Sequence, residues 1–245
     1  MGELDFDLAG LQAWLAEQTG EDLSIDVERL KGGGSCEMFS MQRGGQADDQ
    51  RWAIRRAPVS AVSSTAHNVV REYKIILAMQ NSAVRVPALL AACDDTSIMG
   101  APFYVMGYIE GEVIRHRLPD TYLADPASQV RIGEEIVDAL AELHSFDWRG
   151  TAIEDLAKPE NFLQRQVDRW MNQLEGYRNR DMGGVDETAK WLRDNLPQNG
   201  DLCVMHGDYK AGNAMFSPSA PPEILALVDF EMTTVGDPLI DLAWA

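Results

Sequence analysis

Only three cysteines, Cys36, Cys93 and Cys203, occur in 245 residues, and no two of them form a CxxC pair. An odd and scattered set excludes a disulfide framework and a cysteine zinc site, and suits thiols kept reduced in a cytosol. Basic residues are also scarce: 21 Lys and Arg stand against 39 Asp and Glu, for a formal charge of −18. Such a surface argues against nucleic acid or an anionic membrane as partner. Long apolar runs are missing too. The longest, such as Ala88 to Cys93 and Ile224 to Val228, fall far short of a bilayer span. The opening Met1-Gly2-Glu3-Leu4-Asp5 has neither a basic nor an apolar region, so no signal peptide is expected. Neither internal repeats nor low-complexity segments occur. These absences leave a cytoplasmic globular protein, long enough for one large domain or two small lobes.

What is present centres on His206-Gly207-Asp208-Tyr209-Lys210-Ala211-Gly212-Asn213 and, sixteen residues on, Asp229-Phe230-Glu231. One Asp and one Asn stand five apart, and a second Asp follows an apolar run. A carboxylate can orient an attacking hydroxyl, while an amide oxygen and a second carboxylate can hold a hard cation. Mg²⁺ takes oxygen ligands and shares its octahedron with substrate phosphates. Together these are parts for phosphoryl transfer.

Periodicity predicts a helix over about Leu4 to Gln18, with Leu8, Leu11, Trp14 and Leu15 at helical spacing. Alternating strands at 25–30 and from Met38 flank Gly32-Gly33-Gly34-Ser35, a glycine hairpin that by itself is more often a flexible turn than a cover for phosphate. Residues 44–49 read as an exposed turn. A short strand runs over Arg51 to Arg56 and carries Ala53 and Arg55. The helix from about His67 to Gln80 is expected to bury Val69, Val70, Tyr73, Ile76 and Leu77, and it also carries Glu72. Arg55 and Glu72 could equally be a plain strand end and a solvated helix charge. Strands at 89–92 and 103–106 precede Gly107-Tyr108-Ile109-Glu110-Gly111, which reads as a hinge.

Beyond the hinge the pattern turns helical. Asp125-Pro126 opens a long helix ending near His144, with Val130, Ile136, Val137, Leu140, Ala141 and Leu143 as its expected buried row. Two further helices are read at 162–177 and 186–196, then a strand at 202–205. Strands at 214–216 and 224–228 form a hairpin able to return Asp229 toward Asn213. The expected domain plan is a nucleotide-binding lobe over 1–106, a hinge at 107–111 and a helical lobe over 112–245.

These blocks, in this order across nearly the whole chain, resemble the aminoglycoside phosphotransferase and choline kinase-like group of small-molecule kinases. Within that group the likeness is greatest to the kinase-like domains associated with acyl-CoA dehydrogenases. The supporting blocks are Ala-Ile-Arg-Arg-Ala-Pro at 53–58, Arg71-Glu72-Tyr73, the run 100–106, the stretch 165–170, HGDYKAGNAMF, VDFE and Gly236 to Ala243. The resemblance implies an α+β, bilobal, protein-kinase-like fold: a small antiparallel sheet in the first lobe and a mostly helical second one.

By the same resemblance Asp208 is the catalytic carboxylate, Asn213 and Asp229 hold Mg²⁺, and Gly33, Gly34 and Ser35 cover the phosphates of ATP. Arg55, paired with Glu72, stands where many kinases carry a lysine on those phosphates; arginine offers a rigid planar fork instead of a point charge. Ala53 and Met106 line the adenine slot, and the backbone of Gly107 and Ile109 reads the adenine edge. His206 and Asp241 support the loop. The implied acceptor is a small-molecule hydroxyl, a hydroxy acid or hydroxyacyl compound before an aminoglycoside, with a choline-like compound behind both. Family members usually continue for several helices beyond the point matching Ala245. A truncated second lobe is therefore expected, and a non-catalytic nucleotide-binding module is the alternative reading. A protein kinase fits poorly, because HGD stands for HRD and Glu231 follows Asp229-Phe230.

Overall fold

The computed structural model describes residues 4–22, 24–30, 36–43, 51–59, 68–198 and 200–245. Gly33, Gly34, Ser35 and the turn at 44–49 lie outside the described residues.

The first half builds one sheet with a helix on each face. Helix α1 (Leu8–Thr19) starts later than its apolar pattern suggests, because the Asp7 carboxylate accepts from Ala9 N and Gly10 N and caps it there. Strands β1 (Ile25–Arg29), β2 (Glu37–Arg43), β3 (Arg51–Arg56), β4 (Leu89–Cys93) and β5 (Phe103–Gly107) pair in the order β1-β2-β3-β5-β4, antiparallel throughout. Helix α2 (Val69–Met79) lies between β3 and β4 in sequence, and the short helix α3 (Thr96–Met99) precedes β5.

Side chains alternate across the pleat. Phe103 and Val105 join Leu11 and Leu15 of α1 in one apolar cluster, whereas Tyr104 and Met106 join Ile75, Ile76 and Met79 of α2 in the other. The same alternation splits the Arg55-Arg56 doublet. Arg56 passes to the α1 side, fully buried, and pairs there with Asp5 at 2.8 Å and Glu37 at 2.6 Å. Arg55 shares the α2 side with Ala53.

The buried row of α2 differs from the expected one. Val69, Glu72, Ile75, Ile76 and Met79 face inward; Val70 and Tyr73 are half-buried, and Leu77 is 49% exposed. The helix is rotated so that a carboxylate, not Leu77, meets the sheet, because Arg55 supplies the partner that makes its burial tolerable.

The second half contains helices α4 (Asp120–Leu123), α5 (Pro126–His144), α6 (Ala152–Leu156), α7 (Phe162–Glu175) and α8 (Val185–Asp194). Asp125 caps α5 ahead of its first-turn proline. This helix corrects the sequence pattern as well. It buries Ile132, Ala139, Leu140 and Leu143 together with Glu135, while Val130 and Val137, seven residues apart, point to solvent. Glu135 is inside because Arg85 and Arg131 pair with it and Ile224 N donates to it at 2.8 Å.

Strands β6 (Cys203–Met205), β7 (Ala214–Phe216), β8 (Ile224–Leu227) and β9 (Thr234–Gly236) form two small antiparallel pairs, β6 with β9 and β7 with β8. Helix α9 (Leu239–Trp244) follows. Strand β9 has no forerunner in the sequence reading: three residues beside a glycine carry too little pattern. The fold is α+β, a small antiparallel sheet followed by a mostly helical half.

Candidate active site

The β7–β8 hairpin brings the two halves of the motif together. Val228 N donates to Asn213 O at 2.9 Å, so Asn213 and Asp229 leave the hairpin from adjacent positions. Asp229 itself has φ +70°, a left-handed conformation that few residues besides glycine, Asn and Asp adopt readily. A cavity of about 440 Å³ opens over this point. Ala53, Met106, Gly107 and Ile109 line one end of it, and Arg55, Asn213 and Asp229 the other. Gly107 N is already given to Ala88 O at 2.7 Å and Tyr108 N to Arg51 O at 3.0 Å.

Arg55 spans the cavity wall. Its Nε donates to Glu72 Oε2 at 2.8 Å and its Nη2 to Asp229 Oδ1 at 2.6 Å. Burial works against the Arg55 charge, but Glu72 and Asp229 outweigh it and raise the guanidinium pKa above its usual value. Glu72 is almost fully buried and also accepts from Phe230 N at 3.0 Å. Both donors favour its carboxylate form, while burial pushes its pKa up to about 7.

Asp208 lies beside this cavity and is surrounded by donors. Lys210 Nζ sits 2.8 and 2.7 Å from its two oxygens, Asn213 Nδ2 is 2.9 Å from Oδ2, and Trp244 Nε1 is 2.7 Å from Oδ1. Burial raises the Asp208 pKa, but these hydrogen bonds prevail and hold it below the ordinary carboxylate value. Because Asn213 commits Nδ2 to Asp208, its oxygen is the end left for a ligand.

Under the loop, His206 is fully buried. Its Nε2 faces Val228 O at 3.0 Å, and Asp208 N donates to Nδ1 at 3.4 Å, so the partners assign the proton to Nε2. Burial holds its pKa below 6.5, against the pull of Asp241. Asp241 accepts from His206 N at 2.8 Å and Gly207 N at 2.9 Å, and lies 3.0 Å from His144 Nε2. Gly207 has φ +84°, and a Cβ there would lie 2.6 Å from Met232 O, so the loop requires glycine.

The structure therefore brings Arg55, Asn213 and Asp229 together in the cavity wall, with Glu72 behind Arg55, Asp208 beside Asn213, and His206 and Asp241 beneath. Three contributors escape the sequence reading. Lys210 sits inside the motif, two residues after Asp208, and its position was the available signal. Trp244 is 36 residues from its partner and gives none. Arg71 donates to Glu231 O at 3.3 Å and Thr233 O at 2.6 Å.

A family model described as "Phosphotransferase enzyme family" matches residues 26–245. The chain belongs to this family. Among curated proteins it is 34% identical to acyl-CoA dehydrogenase family member 11 of Gallus gallus over 224 residues, covering 91% of this chain and 28% of that protein. The human protein of the same name is 29% identical, with 97% of this chain and 30% of that one covered. The chain thus spans under a third of the length of these relatives. Among solved structures, a Ralstonia eutropha JMP134 protein, provisionally named an aminoglycoside phosphotransferase, superposes with a TM-score of 0.81 at 30% identity, over 97% of this chain and 68% of that one. The streptomycin–ATP–APH(2″)-IIa ternary complex gives 0.64 at 19% identity, over 98% and 75%, which speaks to the fold alone.

Proposed function

We propose that this phosphotransferase-family chain moves the γ-phosphate of ATP to a hydroxyl of a small molecule, with Asp208 as the catalytic carboxylate. The observation that carries the proposal is the meeting of Asp208, Asn213, Asp229 and the Arg55–Glu72 pair beside a cavity that Ala53, Met106 and Ile109 also line. A hydroxy acid or hydroxyacyl compound is the favoured acceptor, in keeping with the acyl-CoA dehydrogenase relatives. An aminoglycoside comes second, in keeping with the structural neighbours. The acidic surface and the buried, unpaired cysteines support a small-molecule acceptor and a cytoplasmic setting, with neither nucleic acid nor a membrane as partner. No helix among the described residues is long and apolar enough to cross a bilayer.

Mg²⁺ fits the donor set. Asn213 and Asp229 offer hard oxygen ligands from adjacent backbone positions, and the described residues contain no group of three or more acidic, His or Cys side chains arranged as a complete cage. A cation that takes most of its ligands from phosphate and water suits such a pair. The buried Cys36 thiol in the cavity wall, its pKa pushed up to about 11, is no competing ligand. When bound, the metal would neutralise charge on the transferring phosphate.

The remaining work falls to side chains of this chain. Arg55 would turn from Asp229 to the phosphates while Glu72 keeps hold of its Nε. Asp208, ionised well below neutral pH, would accept a hydrogen bond from the acceptor hydroxyl and align it for attack. Lys210 and Trp244 hold that carboxylate in place and limit its basicity, so positioning outweighs proton abstraction. The test is turnover of MgATP with a panel of hydroxylated acceptors, for the wild type and Asp208→Ala. Acceptor-dependent ADP release lost in the variant supports the reading. MgATP binding without turnover on any acceptor would support the non-catalytic module, and undiminished turnover in Asp208→Ala would remove Asp208 from the mechanism.

A further inference from the structure

Two arginines line the cavity, and their situations are opposite. Arg55 is held by Glu72 and Asp229. Arg115, which begins the exposed stretch Arg115-His116-Arg117 shortly after the hinge, has no carboxylate partner among the described residues. Glu112, three residues before it, makes no ion pair with it, Glu110 is taken by Arg51, and Arg117 by Asp120. Arg115 lies beside Gly212. A Cβ built on that glycine would lie 3.7 Å from Lys210 Cε and 3.9 Å from Arg115 Cγ, so the two side chains flank the same piece of backbone. Lys210 is committed to Asp208. Arg115 is therefore a cation without a carboxylate partner among the described residues, one side chain away from the lysine that holds the catalytic carboxylate.

On a chain of net charge −18, a free arginine at the mouth of the site has a consequence. An anionic acceptor is repelled by the surface at large and needs a local cation to dock. A polycationic acceptor needs carboxylates, yet among the described residues Asp229 in the cavity wall already holds Arg55, and Asp208 beside the cavity already holds Lys210. We infer that Arg115 reads an anionic group, a carboxylate or phosphate, on the acceptor, and so selects anionic hydroxy compounds over cationic ones. The inference rests on the phosphotransferase reading for the chemistry but not for the binding. A planar guanidinium suits either anion because it can donate two parallel hydrogen bonds. The phosphates of ATP are the other possible source of the anion. They belong with Arg55 and Asp229, and the experiment separates the two.

The probes are 3-hydroxybutyrate and its methyl ester, which differ in the one charge at issue. Binding is measured calorimetrically with MgADP present, turnover by ADP release, and MgATP affinity separately, for the wild type, Arg115→Met and Arg115→Lys. The wild type should prefer the free acid. Arg115→Met should reduce that preference on the order of tenfold or more, as expected for loss of a charged hydrogen bond, and Arg115→Lys should recover part of it. MgATP affinity should change far less than the preference. A preference untouched by Arg115→Met, binding of neither probe, or an equal loss of MgATP affinity overturns the assignment; the last gives Arg115 to the nucleotide. Arg115-dependent binding of the acid without turnover on it or on any hydroxylated acceptor of the panel would uphold the subsite while refuting the phosphotransferase reading. Equal phosphorylation of both probes would do the reverse.

Discussion

Arg55 Nη2 stands 2.6 Å from Asp229 Oδ1, so the cation suited to phosphate is held by the carboxylate suited to metal. The same guanidinium is anchored through Nε to buried Glu72. Arrival of MgATP must exchange the first contact and can spare the second. Arg55→Met should therefore weaken MgATP binding by at least tenfold. It should also destabilise the fold by about 3 kcal/mol, because a buried carboxylate is left without its partner. Arg55→Met with Glu72→Gln should recover much of the stability and none of the affinity. Calorimetric titration and urea denaturation read the two effects separately.

Asp208→Asn keeps the shape of the side chain and most of its neighbours but removes the charge that aligns the acceptor. Turnover should fall by about 10²- to 10⁴-fold, with MgATP affinity changed by only a small factor. Rapid-quench single-turnover measurements distinguish a slowed chemical step from slowed product release.

Lys210 and Trp244 depress the Asp208 pKa by donating to it, against the effect of burial. Trp244→Phe removes one donor and Lys210→Met removes the charged one. In both, the Asp208 pKa should rise, so the acid limb of the kcat/KM profile should move to higher pH. Lys210→Met should move it further. A profile unchanged in both variants would show that this carboxylate does not control the acid limb.

His206 gives a pH dependence of stability. Its folded pKa is lowered by burial, so the native state binds fewer protons than the unfolded chain, whose histidine titrates near 6.5. The contribution is full above that pH and is lost as pH falls below it toward the lower folded value. Between pH 7 and pH 5 the wild-type urea midpoint carries this loss against the opposite contribution of Glu72, whose raised pKa stabilises the fold as pH falls, so His206→Gln should lose less stability, or gain more, than the wild type over the same interval.

The sheet, the α5 cap and the β7–β8 hairpin were legible in the sequence because each rests on local rules: alternation, Asp-Pro at a helix start, two strands around a proline turn. Which face a helix buries was less legible. Val130 and Val137 look like core residues and are exposed, while Glu72 and Glu135 look like surface residues and are buried. In both helices the outcome turns on an arginine from elsewhere in the chain, Arg55 for one and Arg85 for the other. The motif residues around Asp208 were visible because their spacing is local. Trp244 and Arg115 were not, since each meets the site only through the tertiary fold.

Residues 71 and 72 of α2 both reach across to the segment that follows Asp229. Arg71 donates to the carbonyls of Glu231 and Thr233, and Glu72 accepts from Phe230 N. Two neighbouring side chains thus rivet the first lobe to the second at a point remote from the covalent hinge. Heat cannot loosen one lobe without pulling on this rivet and on the apolar cluster the two halves share, so they should melt in a single calorimetric transition, and Arg71→Ala should lower its midpoint without splitting it.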